Sequence, residues 1–244
     1  MIFNILTYNI QHGLNYRLLK SEEKIRKIEF EPIASLIKQS KADIIGLNEV
    51  YNYGETNIDR CEQPKKIANL SNIKNYLFGE AIKVKGTDLY GNAFLTNFDI
   101  ASYKTIKVPS PKEHTEDKYY EDRVLIEANV KIENKILTCF ITHFGLAVGE
   151  QEIMLNILKE EIKKIDTPYM LMGDFNMTDD SPIINELKQM MNISIKEPTN
   201  TFSSLNPFER IDYIFLSKDI KLIESHVIEY VASDHFPVVA TIEL

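Results

Sequence analysis

The chain has 244 residues, 44% of them hydrophobic, enough to close a core without covalent staples. Its 36 acidic and 28 basic side chains leave a formal charge of −8, which argues against a tight electrostatic grip on nucleic acid unless a local basic patch or a bound cation offsets it. Two cysteines, Cys61 and Cys139, exclude a disulfide framework and a four-thiolate zinc site, and no apolar run approaches the about 20 residues of a membrane span.

Met1 to Tyr8 reads as a strand that runs into Asn9, with His12 three residues on. A helical stripe of Ile33, Leu36 and Ile37 follows Pro32, and the apolar run DIIGLN ends at Glu49. Residues 51–63 form a polar loop. Strands near 75–84, 91–97, 99–108, 123–132 and 135–143 then come in close succession, which implies antiparallel pairing, with a charged excursion over 109–122. The last of these strands runs into His143. A helix over 150–165 presents Ile153, Ile157, Leu158, Ile162 and Ile165 on one face. The run YMLMG ends at Asp174, a short helix follows near 181–191, and strands are expected at about 211–217, 222–230 and 237–243. There is no internal repeat, low-complexity tract or Gly/Ser linker. Helix-strand units in both halves predict one α/β domain over 1–244, a four-layer sandwich of two mainly antiparallel sheets face to face with helices outside. Met1 enters a strand instead of a signal sequence, so a cytoplasmic protein is expected.

Five segments end or begin on a residue able to bind a metal or move a proton: Asn9, Glu49, His143, Asp174 and the pair Asp234-His235 just before Pro237. One polar strand end means nothing; five with this chemistry predict a site at one sheet edge. Carboxylates with a carboxamide and no clustered thiols suit a hard cation, Mg²⁺ or Mn²⁺. Glu49 is the first choice of ligand, with Asn9 and Asp234 sharing the ion directly or through water. Asp174 is placed to position or deprotonate water. Asn176 either donates to a phosphoryl oxygen or closes an Asx-type turn. His235 suits proton transfer or charge stabilisation, with Asp212 as the partner that fixes its ring; the plain alternative for Asp212 is an ion pair with Arg210. His143 can protonate a leaving oxygen or bind the phosphoryl group. His12 is either near the site or a cap on the turn after Asn9.

The segments NILTYN, GLNEV, THFGL, GDFN, RIDYIF and SDHFPV stand in the order found in the endonuclease/exonuclease/phosphatase family, and the chain resembles that family from residue 3 to residue 239. The resemblance implies a DNase I-like fold and Mg²⁺- or Mn²⁺-dependent hydrolysis of phosphoesters. By motif, Asn9, Glu49 and Asp234 are similar to its metal set, Asp174 and Asn176 to its water and phosphate pair, and Asp212 with His235 to its dyad. His143 in THFGL is similar to the additional histidine of the DNase I and sphingomyelinase branches.

Two departures bear on substrate. DNase I-like enzymes pair their second histidine with a Glu upstream of a central strand, whereas LYGNAFLTN offers Asn92 and no acid, which leaves His143 less strongly polarised. LNEVY replaces the LQE and basic residue of abasic-site endonucleases, and the chain has no tryptophan. Arg123 either contacts phosphate or forms an ion pair, and Tyr51, Tyr53, Tyr119 and Tyr120 are candidates to stack on a ring or headgroup. A small-molecule, lipid-headgroup or sugar-linked phosphoester is the favoured substrate, a nuclease acting on DNA or RNA the alternative, and a catalytically dead binding module the remote one.

Overall fold

The computed structural model describes residues 1–53, 61–195 and 199–244; the middle of the expected loop over 51–63 lies outside the described residues. The strands are β1 (Ile2–Asn9), β2 (Ala42–Tyr51), β3 (Asn75–Val84), β4 (Asp88–Thr96), β5 (Asp99–Val108), β6 (Arg123–Ile132), β7 (Lys135–His143), β8 (Tyr169–Asp174), β9 (Asn192–Ile193), β10 (Asp212–Leu216), β11 (Lys221–Val227) and β12 (Val238–Glu243). They form two six-stranded sheets in the orders β11-β12-β1-β2-β4-β3 and β5-β6-β7-β8-β10-β9. Among the described residues, only β1 with β2 and β7 with β8 pair in parallel. These four strands occupy the middle of their sheets and are nearly continuous apolar runs, as strands covered on both faces must be.

Three apolar layers hold the molecule together. Between the sheets, Ile5, Ile44 and Phe94 meet Ile126, Ile141, Met172 and Ile214. Outside the first sheet, Ile33, Leu36 and Ile37 of α2 (Glu31–Ser40) and Ile67 of α3 (Gln63–Ser71) cover Leu6, Tyr8, Ile45 and Leu47; the single turn α1 (Tyr16–Leu19) precedes them. Outside the second sheet, α4 (Val148–Ile162) and α5 (Pro182–Met190) cover Leu125, Phe140, Leu171 and Phe215. The result is the four-layer α/β sandwich.

Two details differ from the sequence reading. The deep contacts of α4 come from Met154, Leu155 and Leu158, while Ile153, Ile157 and Ile162 sit partly buried at the margin and Ile165 falls beyond the helix end. Helix α3 is not foreseen, because QPKKIANLS is short, polar and buries only Ile67 and Ala68 among its apolar residues beyond Pro64. Pro64 in its first turn is the local signal for it.

The topology gathers the chemistry. The parallel pairings end at Asn9 with Asn48 and at His143 with Asp174, Glu49 follows Asn48 within β2, and the antiparallel neighbours β10 and β12 begin near the same edge at Asp212 and just after His235. In register, Asp174 stands opposite both His143 and Asp212, and Asn9 opposite Asn48. A bulge between Leu47 and Val50 breaks the pairing of β2 with β4, and Glu49 within it takes φ 58°, a left-handed conformation uncommon for a glutamate. The bulge re-aims Glu49 and Asn48. At Gly173, a Cβ would stand 1.9 Å from the Thr142 carbonyl oxygen, so only glycine lets β7 and β8 close at the point where His143 and Asp174 project.

Candidate active site

Asp174 is the hub. It is buried; its Oδ1 accepts the Asn176 backbone N–H at 2.8 Å, closing an Asx turn, and its Oδ2 accepts Asn9 Nδ2 at 2.9 Å. Two imidazoles flank Oδ2: His143 Nε2 at 3.5 Å and His235 Nε2 at 3.6 Å. Burial pushes the Asp174 carboxyl up to about 7, against the lowering effect of His235 and with a further rise from Asp212.

His235 Nδ1 is 2.9 Å from Asp212 Oδ2, and both groups are buried. Burial opposes charge on this ring, but the carboxylates of Asp212 and Asp174 and the Asp212 hydrogen bond outweigh it and hold the imidazole pKa well above its ordinary value. Arg210 is engaged elsewhere, donating to Asp179 and to the Ile195 carbonyl at 2.9 Å, so the alternative pairing of Asp212 with Arg210 does not form. The Phe202 ring packs 4.8 Å from the His235 ring, and the 202–209 hairpin braces the turn.

His143 is the electrostatic opposite. Burial, Arg123 and His235 all drive its pKa well below that of a free imidazole. Arg123 Nη1 lies 3.1 Å from His143 Nδ1 and also pairs with Glu121 at 2.8 Å. Asn176 Nδ2 donates to the Phe144 carbonyl at 2.9 Å and stands 3.2 Å from His143 Nε2.

A carboxylate set opens beside this network. Glu49 Oε1 accepts Asn9 Nδ2 at 3.0 Å, and Asp234 Oδ2 accepts Gln11 Nε2 at 2.8 Å. Burial raises the Asp234 carboxyl to about 6, with His235 opposing and Glu49 adding like-charge repulsion. Gln11 Oε1 is a buried oxygen without a hydrogen-bond partner. Crowded acids beside an unpaired amide oxygen are the donor set of a hard divalent cation. Asp174, Asp212 and His235 also lie within ligating reach of one another, but the His235 nitrogen nearest Asp212 is occupied by that hydrogen bond, and the group reads as a proton network. These residues line or underlie a cleft of about 730 Å³ that also exposes Tyr90, Lys118, Tyr119, Phe202 and Glu209.

The profile of the endonuclease/exonuclease/phosphatase family matches residues 6–235, nearly the whole chain. The chain belongs to this family. Among solved structures, it is similar to an endonuclease/exonuclease/phosphatase from Beutenbergia cavernae, at 20% identity and TM-score 0.81 over 100% of this chain and 72% of that one. A family member from Bacteroides vulgatus gives 20% identity and TM-score 0.79, covering 100% and 99%. The Bacteroides thetaiotaomicron mannosyl-6-phosphatase gives 18% identity and TM-score 0.76, covering 99% and 100%. At these identities the likeness is one of fold. No curated protein matches the chain significantly. Members of the family are phosphoester hydrolases that usually use a divalent metal.

In this member of the endonuclease/exonuclease/phosphatase family, nine of the eleven expected residues meet at one edge. Asn9 is fully buried, with Oδ1 turned to the Gln11 N–H, so it ties Glu49 to Asp174 and does not present its oxygen to the cleft. Asn92 is not a substrate contact. It is buried, accepts Asn48 Nδ2 at 2.9 Å and donates to the Val124 carbonyl at 2.9 Å. His12 lies outside the cleft lining, its ring edge-on to Tyr51 at 5.4 Å. Tyr119 lines the cleft, whereas Tyr120 stacks on His114, Tyr51 packs behind the cleft-lining Tyr90 with ring centroids 5.0 Å apart, and Tyr53 is not in the lining.

Sequence reasoning missed Asn48 and Gln11. The Asn48 side chain accepts the Asp174 N–H at 2.9 Å and donates to the Thr142 carbonyl at 2.7 Å, so it bolts the first sheet to the β7/β8 pair. Its signal was a carboxamide inside an otherwise apolar strand run. Gln11 gave no signal beyond its nearness to Asn9.

Among the described residues, no helix is long and apolar enough to cross a membrane.

Proposed function

We propose that the protein is a divalent-metal-dependent hydrolase of phosphoester bonds in a small substrate, of small-molecule, lipid-headgroup or sugar-linked type. The observation that carries this reading is a buried base, Asp174, set between two imidazoles of opposite electrostatic character and beside the crowded Glu49 and Asp234 carboxylates in one cleft. Glu49 and Asp234 hold Mg²⁺ or Mn²⁺, with Asn9 fixing the Glu49 carboxylate. When bound, the ion supplies Lewis-acid polarisation of a non-bridging phosphoryl oxygen.

Asp174 orients the attacking water and takes its proton; a carboxyl raised to about 7 is matched to that task near neutral pH. His235, kept protonated by Asp212, stabilises the negative charge that gathers on the phosphoryl group and offers a proton to the departing oxygen. Asn176 Nδ2 donates to the same group.

The lining of the cleft argues for a small substrate over a nucleic acid. Five of its residues are carboxylates (Glu49, Glu121, Asp174, Glu209 and Asp234), against Lys118 and Arg123 as its lysine and arginine. A polyanion threaded across such a mouth gains little from counterion release. Tyr119 and Phe202 give the leaving group aromatic walls.

The test is turnover of bis-p-nitrophenyl phosphate, p-nitrophenyl phosphate and supercoiled plasmid, each with Mg²⁺, Mn²⁺ or EDTA. Metal-dependent ester turnover without nicking is expected. Plasmid nicking with salt-sensitive oligonucleotide binding transfers the reading to a nuclease, and metal-independent turnover rejects the mechanism.

A further inference from the structure

Arg123 Nη1 has two hydrogens: one meets Glu121 Oε1 at 2.8 Å and the other His143 Nδ1 at 3.1 Å. A guanidinium only donates, so Nδ1 carries the lone pair. The ring is therefore neutral, with its one proton on Nε2. Arg123 is 7% exposed and anchored by Glu121, so it is not a free cation at the rim.

On the far side of the ring, Nε2 stands 3.2 Å from Asn176 Nδ2 and 3.5 Å from Asp174 Oδ2. The amide orientation of Asn176 is fixed by its 2.9 Å donation to the Phe144 carbonyl, since a flipped amide would set two oxygens against each other. In that tautomer both groups are donors, so across their 3.2 Å contact on the cleft lining neither can accept from the other. Such a pair is satisfied by an oxygen that accepts from both.

We infer that Arg123 is a positioning residue that locks His143 as the Nε2–H tautomer, so that His143 and Asn176 form a two-donor cradle for a non-bridging phosphoryl oxygen and His143 does not serve as a general acid. The identity of that oxygen rests on the phosphoesterase reading; the tautomer does not. A carboxylate in place of the guanidinium would accept a hydrogen bond from Nδ1 and favour the charged ring. The cation does the reverse.

The test is long-range ¹H–¹⁵N correlation on the full chain labelled with ¹⁵N-histidine at neutral pH, with His143 assigned by the signal that His143→Gln removes. The wild type is expected to show His143 protonated on Nε2 alone. Arg123→Met is expected to give mixed tautomers or a doubly protonated ring, and Arg123→Lys, which keeps a donor, to restore Nε2–H. The other four histidines report whether each variant is folded. In turnover, Arg123→Met should lower kcat about a hundredfold with little change in KM, the cost of misplacing one such donor. An Nδ1–H or doubly protonated His143 in the wild type overturns the inference. So does a His143 signal unmoved in Arg123→Met, or a raised KM with the tautomer intact, which would make Arg123 a direct substrate contact. A wild type with the Nε2–H tautomer that turns over no phosphoester leaves the tautomer lock standing and defeats the functional reading alone.

Discussion

Glu49→Gln is expected to lose about three orders of magnitude or more in kcat/KM on any phosphoester substrate, with its fold and thermal midpoint nearly unchanged. Metal polarisation of a phosphoryl oxygen is worth several kcal/mol, and each ~1.4 kcal/mol is a factor of ten in rate. The left-handed backbone of Glu49 is set by the bulge in β2 and by the strands on either side, which the substitution leaves alone. Glutamine keeps an oxygen to accept Asn9 Nδ2, now at 3.0 Å from Glu49 Oε1, and forfeits only the charge. Rates measured over a Mn²⁺ titration, beside a circular dichroism melt, separate the two effects. A variant with wild-type turnover at low metal would remove Glu49 from the proposed ligand set.

Asp212→Asn should lower kcat by about 10⁴-fold, the size of loss seen when the carboxylate orienting a catalytic imidazole becomes an amide. Asp212 Oδ2 fixes His235 through its Nδ1 at 2.9 Å, and asparagine removes the charge that favours the imidazolium while keeping the shape. The pH dependence follows in sign. The folded-state pKa of His235 is raised, so in the metal-free protein its pairing contributes stability that is fully present below the unfolded value of about 6.5 and is lost as pH rises through the raised folded value. Urea unfolding in EDTA should therefore show the wild type most ahead of the variant in acid and the gap narrowing in alkali. A gap that widens with pH would mean that Asp212 is not stabilising a charged His235.

The layers of this fold were legible because its central strands are short apolar runs that stop at a polar residue, and the amphipathic stripe after Pro32 marks an outer helix. The site was legible for a related reason. A parallel pair such as β7 and β8 delivers two strand ends to one edge, so His143 and Asp174 could be read as neighbours although they lie far apart in sequence. What could not be read was pairing that crosses between elements. A carboxamide in an apolar run marks Asn48 as needing partners but not that one of them is the Thr142 carbonyl in the other sheet, and Asn92, offered by LYGNAFLTN in place of an acid, is consumed beneath the site by that same amide. The strand β4 supplies no acid beside His143; its partner is the cation Arg123 from β6, and that reverses the polarity of the ring. Helix α3 was hidden for another reason: its buried stripe of Pro64, Ile67, Ala68 and Ser71 carries few strongly apolar residues, although it packs on both α2 and the first sheet.

The most direct test of the central claim is the initial rate of bis-p-nitrophenyl phosphate and p-nitrophenyl phosphate hydrolysis by EDTA-stripped protein as Mn²⁺ is added back, for the wild type and Asp174→Asn side by side. The wild type should be silent in EDTA and rise to saturation with metal, while the variant, folded, stays near background at every metal concentration. Turnover in EDTA, or wild-type rates from Asp174→Asn, would contradict a metal-dependent hydrolysis in which Asp174 activates the water.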